Sequence, residues 1–321
     1  MFICSSCGKA YDLPICENCG CTVAKINDIW QLSDDPDIVT DSDGDKYIGY
    51  EFIGENYSGN RRNTIEYSDA LFADEISKIT GDGIFLDLGC GDGSITVPAA
   101  RNGTNIIAAD ISNTMITLLK QKAAYNNISL NNVILCRMNA LRIMLPDNFI
   151  DSVVSNGVLH LISNPEKVIQ EIHRVLKSGG CFVFRDDVPG KTVDMPFDND
   201  IYNKIVNEIF SLYWKTLKEH DIYPKKYNWN FDREEICTGL FSFKEQIVIS
   251  VSREYLNKMK DGFLPRIKSR GFSDQVDVPS HLHDIVMQNV IEQIEWKYGK
   301  GFDEVAFRGI EPNIEVTIYK K

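Results

Sequence analysis

The stretch Ile84-Phe-Leu-Asp-Leu-Gly-Cys-Gly-Asp-Gly-Ser-Ile-Thr96 constrains the chain more than any other, because an apolar run ending in Asp87-x-Gly89-x-Gly91-x-Gly93 predicts a strand that turns directly into a helix. Glycines spaced by two let the backbone turn tightly and approach a ligand closely, while the helix that follows offers unpaired N–H groups to a polar or anionic moiety. This is a nucleotide-cofactor loop. A dinucleotide fingerprint places its third glycine one position later, where this chain has Ser94, and the mismatch argues against NAD.

Further signals follow in order. Ile106-Ile-Ala-Ala-Asp110 reads as a second strand ending in a carboxylate, 23 residues beyond Asp87. That position, at the tip of the second strand of a doubly wound sheet, is placed to accept hydrogen bonds from both hydroxyls of a ribose. Asp110 is also placed to cap the helix that starts near Ser112, and the two roles are compatible. A third apolar run, Val133–Met138, is followed by Asn139-Ala140, and a fourth, Phe149-Ile-Asp-Ser-Val-Val, by Ser155-Asn156. Leu159-His160, Glu171–Gly180 and Cys181-Phe-Val-Phe184 complete the series.

Together these motifs resemble the class I S-adenosylmethionine-dependent methyltransferases, within them the branch that includes quinone-biosynthesis methylases. The resemblance covers residues 60–190 closely and the rest weakly. It implies an α/β fold with a Rossmann-like, doubly wound, seven-stranded sheet, and in-line transfer of a methyl group from S-adenosylmethionine. Asp87, Gly89, Cys90, Gly91 and Gly93 would then form the cofactor loop. Ile111 would pack on the adenine, Asn139 and Ala140 would flank its edge, and Asn156 would lie beside the methionine and sulfonium end. Many relatives carry Asp where this chain has Asn139; an amide still donates to and accepts from an adenine edge.

The N-terminus carries a second pattern, Cys4-Ser-Ser-Cys7-Gly8 and Cys16-Glu-Asn-Cys19-Gly20. Two such knuckles bring four thiolates to the geometry of tetrahedral zinc, and each glycine permits the turn that aims backbone N–H groups at sulfur. The short interval between the pairs predicts a compact ribbon whose small core a metal must supplement. Cys21 is a spare thiol and an alternative fourth ligand. A disulfide framework is the other alternative, disfavoured because no apolar signal segment is visible and a reducing cytoplasm fits better. Cys90, Cys136, Cys181 and Cys237 fall in or near apolar segments and read as small buried hydrophobes.

The chain organises as a ribbon over residues 1–26, an acidic connector over 27–60 and a catalytic domain over 61–321, with a helical insertion at about 186–245 after the fifth strand. The connector contains Trp30, Tyr47, Tyr50, Phe52 and Tyr57, apolar content that implies docking on the domain. A helix from Ser68, as N-cap, to Lys78 buries Phe72, Ile76 and Ile79. Ile201–Trp214 is amphipathic at helical spacing, and by resemblance this insertion roofs the substrate site. Gln246–Ser250 reads as the sixth strand and Ile314–Tyr319 as the last, with a helix over Leu282–Lys297 between them.

With 321 residues, 43% of them hydrophobic, the chain can build such a domain with a small appendage, and no run approaches the ~18 apolar residues of a membrane span. Net charge is −12, and between Asp28 and Asp82 fourteen acidic residues face only four basic ones. That segment would repel phosphate, which disfavours nucleic acid as a partner. Asp41-Ser-Asp-Gly-Asp45 has its glycine in the wrong place for a calcium loop and reads as an acidic surface turn. The leading expectation is a methyltransferase for a small-molecule substrate. The alternatives are an rRNA methyltransferase that uses its ribbon on RNA and a non-catalytic scaffold that binds the cofactor. A dedicated base is optional in such a transfer; His160 and Tyr57 are the candidates, with Arg253 as an anchor for an acidic substrate.

Overall fold

The computed structural model describes residues 1–40, 46–50, 65–185, 200–224, 232–250, 278–307 and 313–321, with isolated positions between 252 and 275. Phe2–Ile3 (β1) and Ala10–Tyr11 (β2) pair antiparallel around the first cysteine knuckle. Lys25–Ile26 (β3) and Ile29–Gln31 (β4) form a tight hairpin whose two central residues, Asn27 and Asp28, have φ of 49° and 64°. Positive φ at both positions is the primed turn that matches strand twist, and Asn and Asp tolerate it best among residues with a side chain. Ile38–Thr40 (β5) and Lys46–Ile48 (β6) pair in a small separate hairpin.

Tyr67–Thr80 (α1) precedes the central sheet and buries Phe72 and Ile76, as its spacing predicts. Its start differs from the expectation: Glu66 occupies the N-cap position without a side-chain cap, and Ser68 is buried in the first turn. The sheet then builds from Ile84–Leu88 (β7), Asn105–Asp110 (β8), Val133–Arg137 (β9), Ile150–Val154 (β10), Leu176–Arg185 (β11), Phe243–Ser250 (β12) and Asn313–Lys320 (β13). Between strands lie Thr96–Arg101 (α2), Asn113–Tyr125 (α3) and Pro165–Val175 (α4).

Among the described residues the main sheet has nine strands in the order β12-β13-β11-β10-β7-β8-β9-β4-β3. Strands β11 to β9 run parallel, and β13 is antiparallel to both its neighbours. Seven of the nine follow the expected doubly wound plan. The other two, β3 and β4, come from the chain preceding α1. Trp30 and Gln31 pair in parallel with Cys136 and Arg137 and cover the edge that β9 would otherwise expose. The expected connector is therefore, in its first residues, part of the sheet.

The pleat sorts residues to two cores. Leu86, Leu88, Ile107 and Ala109 join one buried cluster, while Phe85, Ile106 and Ala108 join the other, so both faces are covered and the strands read as continuous apolar runs. Phe2, Tyr11 and Leu32 belong to the first of these clusters together with Met144 and Leu145, and the Ile3 N–H donates to the Met144 carbonyl at 3.0 Å. The N-terminal ribbon thus shares the domain's core.

A third cluster is built by Asp200–Lys218 (α5), Ser280–Tyr298 (α7) and Phe302–Ala306 (α8), while Arg233–Leu240 (α6) packs near β11 and β13 through Cys237. Tyr202, Ile205, Ile209 and Tyr213 from α5 meet Val290 and Ile294 from α7. The Tyr213 hydroxyl lies 2.8 Å from His283 Nδ1. Tyr202 and Tyr213 are therefore core side chains of a helical unit, and the amphipathic period of 201–214 records packing rather than a lining for substrate.

Candidate cofactor site and N-terminal thiol cluster

Strand order reverses between β7 and β10, and the glycine loop leaves β7 at that switch point, where open α/β sheets bind ligands. Asp87 is buried near the end of β7, and its Oδ2 accepts the Thr96 hydroxyl at 2.5 Å. Burial pushes its carboxyl up to about 7, against the opposing Thr96 hydrogen bond and with the field of Asp110 adding to the rise. Gly89 has φ of +77°, and a Cβ there would stand 2.2 Å from Val158, so neither the conformation nor the space admits a side chain. The N–H groups of Gly89 and Cys90 are spent on the Ala109 carbonyl, and the Cys90 side chain packs in the core.

Gly91, with φ of +53°, donates its N–H to Asp110 Oδ2 at 2.8 Å, and Ser112 donates its own to Asp110 Oδ1 at 2.9 Å. Asp110 thereby links the first loop to the turn after β8. The helix cap itself is Ser112, whose Oγ accepts the Met115 N–H at 3.2 Å. Burial raises the Asp110 carboxyl to about 6, while these backbone donors oppose the rise and Asp37 adds to it.

The loop is braced by a pair that the sequence did not disclose. Lys122 Nζ donates to Asp92 Oδ2 at 2.8 Å, and Lys122 is only 2% exposed. Gly93, which follows Asp92, has φ of +81° and sits against Leu119 and Val97.

Beyond β9, Asn139 Oδ1 accepts the Leu141 N–H at 2.9 Å, and its Nδ2 donates to Asp35 Oδ2 at 2.7 Å. Arg137 Nε donates to the Ile111 carbonyl at 2.9 Å and Arg137 Nη2 to the Asp35 carbonyl at 2.5 Å. Ile111, Arg137, Asn139 and Asp35 therefore form one wall beside Asp110, and Ala140 follows it half-buried. At the tip of β10, Ser155 Oγ and Asn156 Oδ1 are buried without a hydrogen-bond partner among the described residues. A buried acceptor left unpaired costs about 1–3 kcal/mol, and a ligand donor would relieve it. The positions expected to hold S-adenosylmethionine thus present an oriented carboxylate at one strand tip and an orphaned amide oxygen at another, which fits the group.

The candidate base fares differently. His160 lies buried in the short turn Leu159–Leu161, and burial lowers its imidazole to about 3. It stays neutral at physiological pH and is a weak proton acceptor. Tyr57, Arg253 and the Asp41–Asp45 turn lie outside the described residues.

At the N-terminus the thiols of Cys4, Cys7, Cys16 and Cys19 lie within 4.8 Å of one another. Cys4 Sγ is 3.6 Å from Cys19 Sγ, and Cys7 Sγ is 3.7 Å from Cys16 Sγ. The two knuckles share one backbone pattern: Gly8 and Gly20, both in the left-handed region, donate to the Cys4 and Cys16 carbonyls. All nine cysteines are free thiols, and Cys21 stands apart from the four, accepting a hydrogen bond from Ser6 Oγ at 3.3 Å.

Comparison with known proteins agrees with this geometry. Residues 86–184 match the family model described as a methyltransferase domain. An uncharacterized chloroplastic methyltransferase of Arabidopsis thaliana is 33% identical over 115 residues, 35% of this chain and 33% of that protein. The ubiquinone/menaquinone biosynthesis C-methyltransferase of Vibrio campbellii is 33% identical over 98 residues, 30% of this chain and 38% of that protein. A demethylmenaquinone methyltransferase of Staphylococcus epidermidis is 28% identical over 162 residues, 49% of this chain and 64% of that protein. The matches span less than two thirds of each relative's own length. A solved structure of a proposed methyltransferase from an antibiotic biosynthesis pathway of Anabaena variabilis shares the fold, with a TM-score of 0.51 at 16% identity over 78% of this chain and 96% of that one. Over residues 86–184 the chain carries a methyltransferase domain.

The buried carboxyl beneath the loop has a measurable consequence. The folded chain holds the Asp87 proton more tightly than the unfolded chain, where an aspartate titrates near ~4. Stability from the neutral carboxyl is thus present at low pH and is lost as pH climbs through about 7. Asp87→Asn keeps an acceptor for Thr96 but removes the ionisation. It is expected to exceed the wild type in stability at pH 8 by on the order of 2–4 kcal/mol, with the advantage shrinking towards pH 5; denaturant melts at both values check this.

Proposed function

We propose that this chain transfers a methyl group from S-adenosylmethionine to a small-molecule nucleophile in line, and that its N-terminal cysteines hold one zinc ion. The observation that carries the first part is the Asp110 carboxylate, fixed by two backbone N–H groups at the tip of β8 beside the glycine loop. A carboxylate held there matches the two donors of a ribose diol. The orphaned Asn156 Oδ1, across the switch point, supplies an acceptor for the amino-acid end. When bound, S-adenosylmethionine supplies an electrophilic methyl on a positively charged sulfur. The protein's task is then to hold the two reactants in line and exclude water, with no base required. The neutral, buried His160 agrees with that economy of groups.

A small substrate is supported by charge and by kinship. Asp35 and Asp37 from the acidic connector lie beside Asp110 and Asn139, where a polyanion would be repelled. The quinone methyltransferases named above act on small molecules, and this chain resembles them over the cofactor-binding half. No helix among the described residues is long and apolar enough to cross a membrane, and nine free thiols suit a reducing compartment such as the cytoplasm.

Four thiolates at these separations suit zinc, since a tetrahedral ion with zinc–sulfur bonds of about 2.3 Å sets its sulfurs about 3.8 Å apart. The converging thiols would repel one another as thiolates without a cation between them. We read the ion as a clamp on a ribbon too small to close a core alone.

Turnover is tested by release of S-adenosylhomocysteine when the protein is given S-adenosylmethionine and fractionated small-molecule extract; release from no fraction would favour the scaffold reading. In the same preparation, Asp110→Ala is expected to weaken S-adenosylmethionine binding by roughly 1.5–3 kcal/mol, and unchanged affinity by calorimetry would reject the ribose assignment. Elemental analysis of protein purified without chelator should find about one zinc per chain, reduced in Cys16→Ser; protein with no metal would remove the clamp. Against ribosomal RNA at physiological salt no binding is expected. Micromolar affinity that falls steeply with salt would instead mark phosphate contacts and favour the RNA methyltransferase.

A further inference from the structure

Among the described residues the N-terminal segment brings a carboxylate with one unpaired oxygen, that of Asp35, to the wall beside Asp110. Asp35 is 104 residues from Asn139 in sequence, and their side chains meet at 2.7 Å. One oxygen of Asp35, Oδ2, accepts from both Asn139 Nδ2 and the Ser33 hydroxyl, the latter at 2.9 Å. The Asp35 N–H donates to Ser33 Oγ at 3.1 Å, and its carbonyl accepts from Arg137. Backbone and Oδ2 are thus fixed from three sides. Oδ1 has no hydrogen-bond partner among the described residues, and Asp35 is exposed, so a base stacked on Ile111 gains this acceptor without displacing another group.

Asn139 is the weaker acceptor. Its neutral carbonyl oxygen already accepts the Leu141 N–H with one of its two lone pairs, and its amide donates to Asp35. An adenine presents its exocyclic amino group as a donor, and hydrogen bonds from a neutral donor to a carboxylate are stronger than those to an amide oxygen. The Asn139 hydrogen bond, then that from Ser33, holds the Asp35 carboxyl below its usual range, so it is ionised at neutral pH.

We propose that Asp35, carried in by the segment that follows β4, is the acceptor that recognises the amino group of the adenine ring, with Asn139 holding its other oxygen. This rests on the cofactor reading above, and it makes the N-terminal segment part of the nucleoside site. An inosine ring, in which a carbonyl replaces the amino group, would set oxygen against carboxylate.

The test is calorimetric binding of S-adenosylhomocysteine and S-inosylhomocysteine to the full-length protein and to D35A. The wild type is expected to prefer the adenosyl compound by about ten- to a hundredfold. In D35A the preference should collapse to about threefold or less, with the loss on the adenosyl side and the melting temperature of the free protein unchanged. A preference that survives in D35A, or equal weakening of both compounds, overturns the assignment while leaving the cofactor reading intact. Failure of the wild type to bind either compound overturns both.

Discussion

The architecture of the site depends on where the Asp110 carboxylate sends its two oxygens. One receives the Gly91 N–H from the loop after β7 and the other the Ser112 N–H from the turn after β8, so a single side chain fixes the separation of two strand tips. Such charge-assisted bonds are about twice as strong as neutral ones. They work against a real cost, because burial raises Asp110 to about 6 and the neighbouring Asp87 to about 7. The charge of Asp110 adds to the rise at Asp87, so the two carboxyls oppose each other's ionisation. Here the glycine backbone and the Lys122–Asp92 pair hold the loop in place, and the potential remains directed at whatever donors enter the crevice.

Much of this was legible in the sequence because it is local. The glycine loop, the strand that ends in Asp110 and the Ser112 helix start are each set by residues within a few positions of one another, and each is found where its spacing placed it. The two cysteine knuckles are legible for the same reason: four thiols separated by short turns have few ways not to meet. What escaped is non-local or too short for periodicity to register. Ile29–Gln31 is three residues long, below the length at which alternation identifies a strand, and it becomes one only because β9 offers an open edge. The Lys122–Asp92 pair spans 30 residues and the Asp35–Asn139 contact 104, distances at which sequence carries no signal of proximity. Ser68 is not the cap: the helix starts at Tyr67, with Glu66 at the N-cap position and Ser68 buried in the first turn.

The helical unit shows a limit of another kind. Ile201–Trp214 gave a correct helix, yet the same apolar period is produced by a face that lines a pocket and by one that fills a core. Tyr213 resolves the ambiguity through its hydroxyl, which meets His283 rather than facing a cavity. Buried tyrosines commonly find such a partner, and the pairing fixes α5 against α7. Substrate-contacting residues are therefore to be sought outside this packed stripe.

The ribbon also changes meaning once its packing is known. Phe2 and Tyr11 bury against the same cluster as Met144 and Leu145, and the Ile3 N–H is bonded to the Met144 carbonyl. The adjoining turn is held by Arg174, which donates to the Ile143 and Leu145 carbonyls, and by Glu171, which accepts the Ile143 N–H. That turn begins at Asn139. The four-thiol ribbon therefore packs on a surface continuous with the wall of Ile111, Arg137 and Asn139, and the chain leaving it passes through β4 to Asp35. An RNA-reading module would instead need its knuckles free and its surroundings basic. With Phe2 and Tyr11 buried in the domain core and an acidic segment running directly from the ribbon to the wall of Ile111, Arg137 and Asn139, the arrangement is that of a brace for the strand tips, and a zinc ion held as proposed would add its binding energy to the fold.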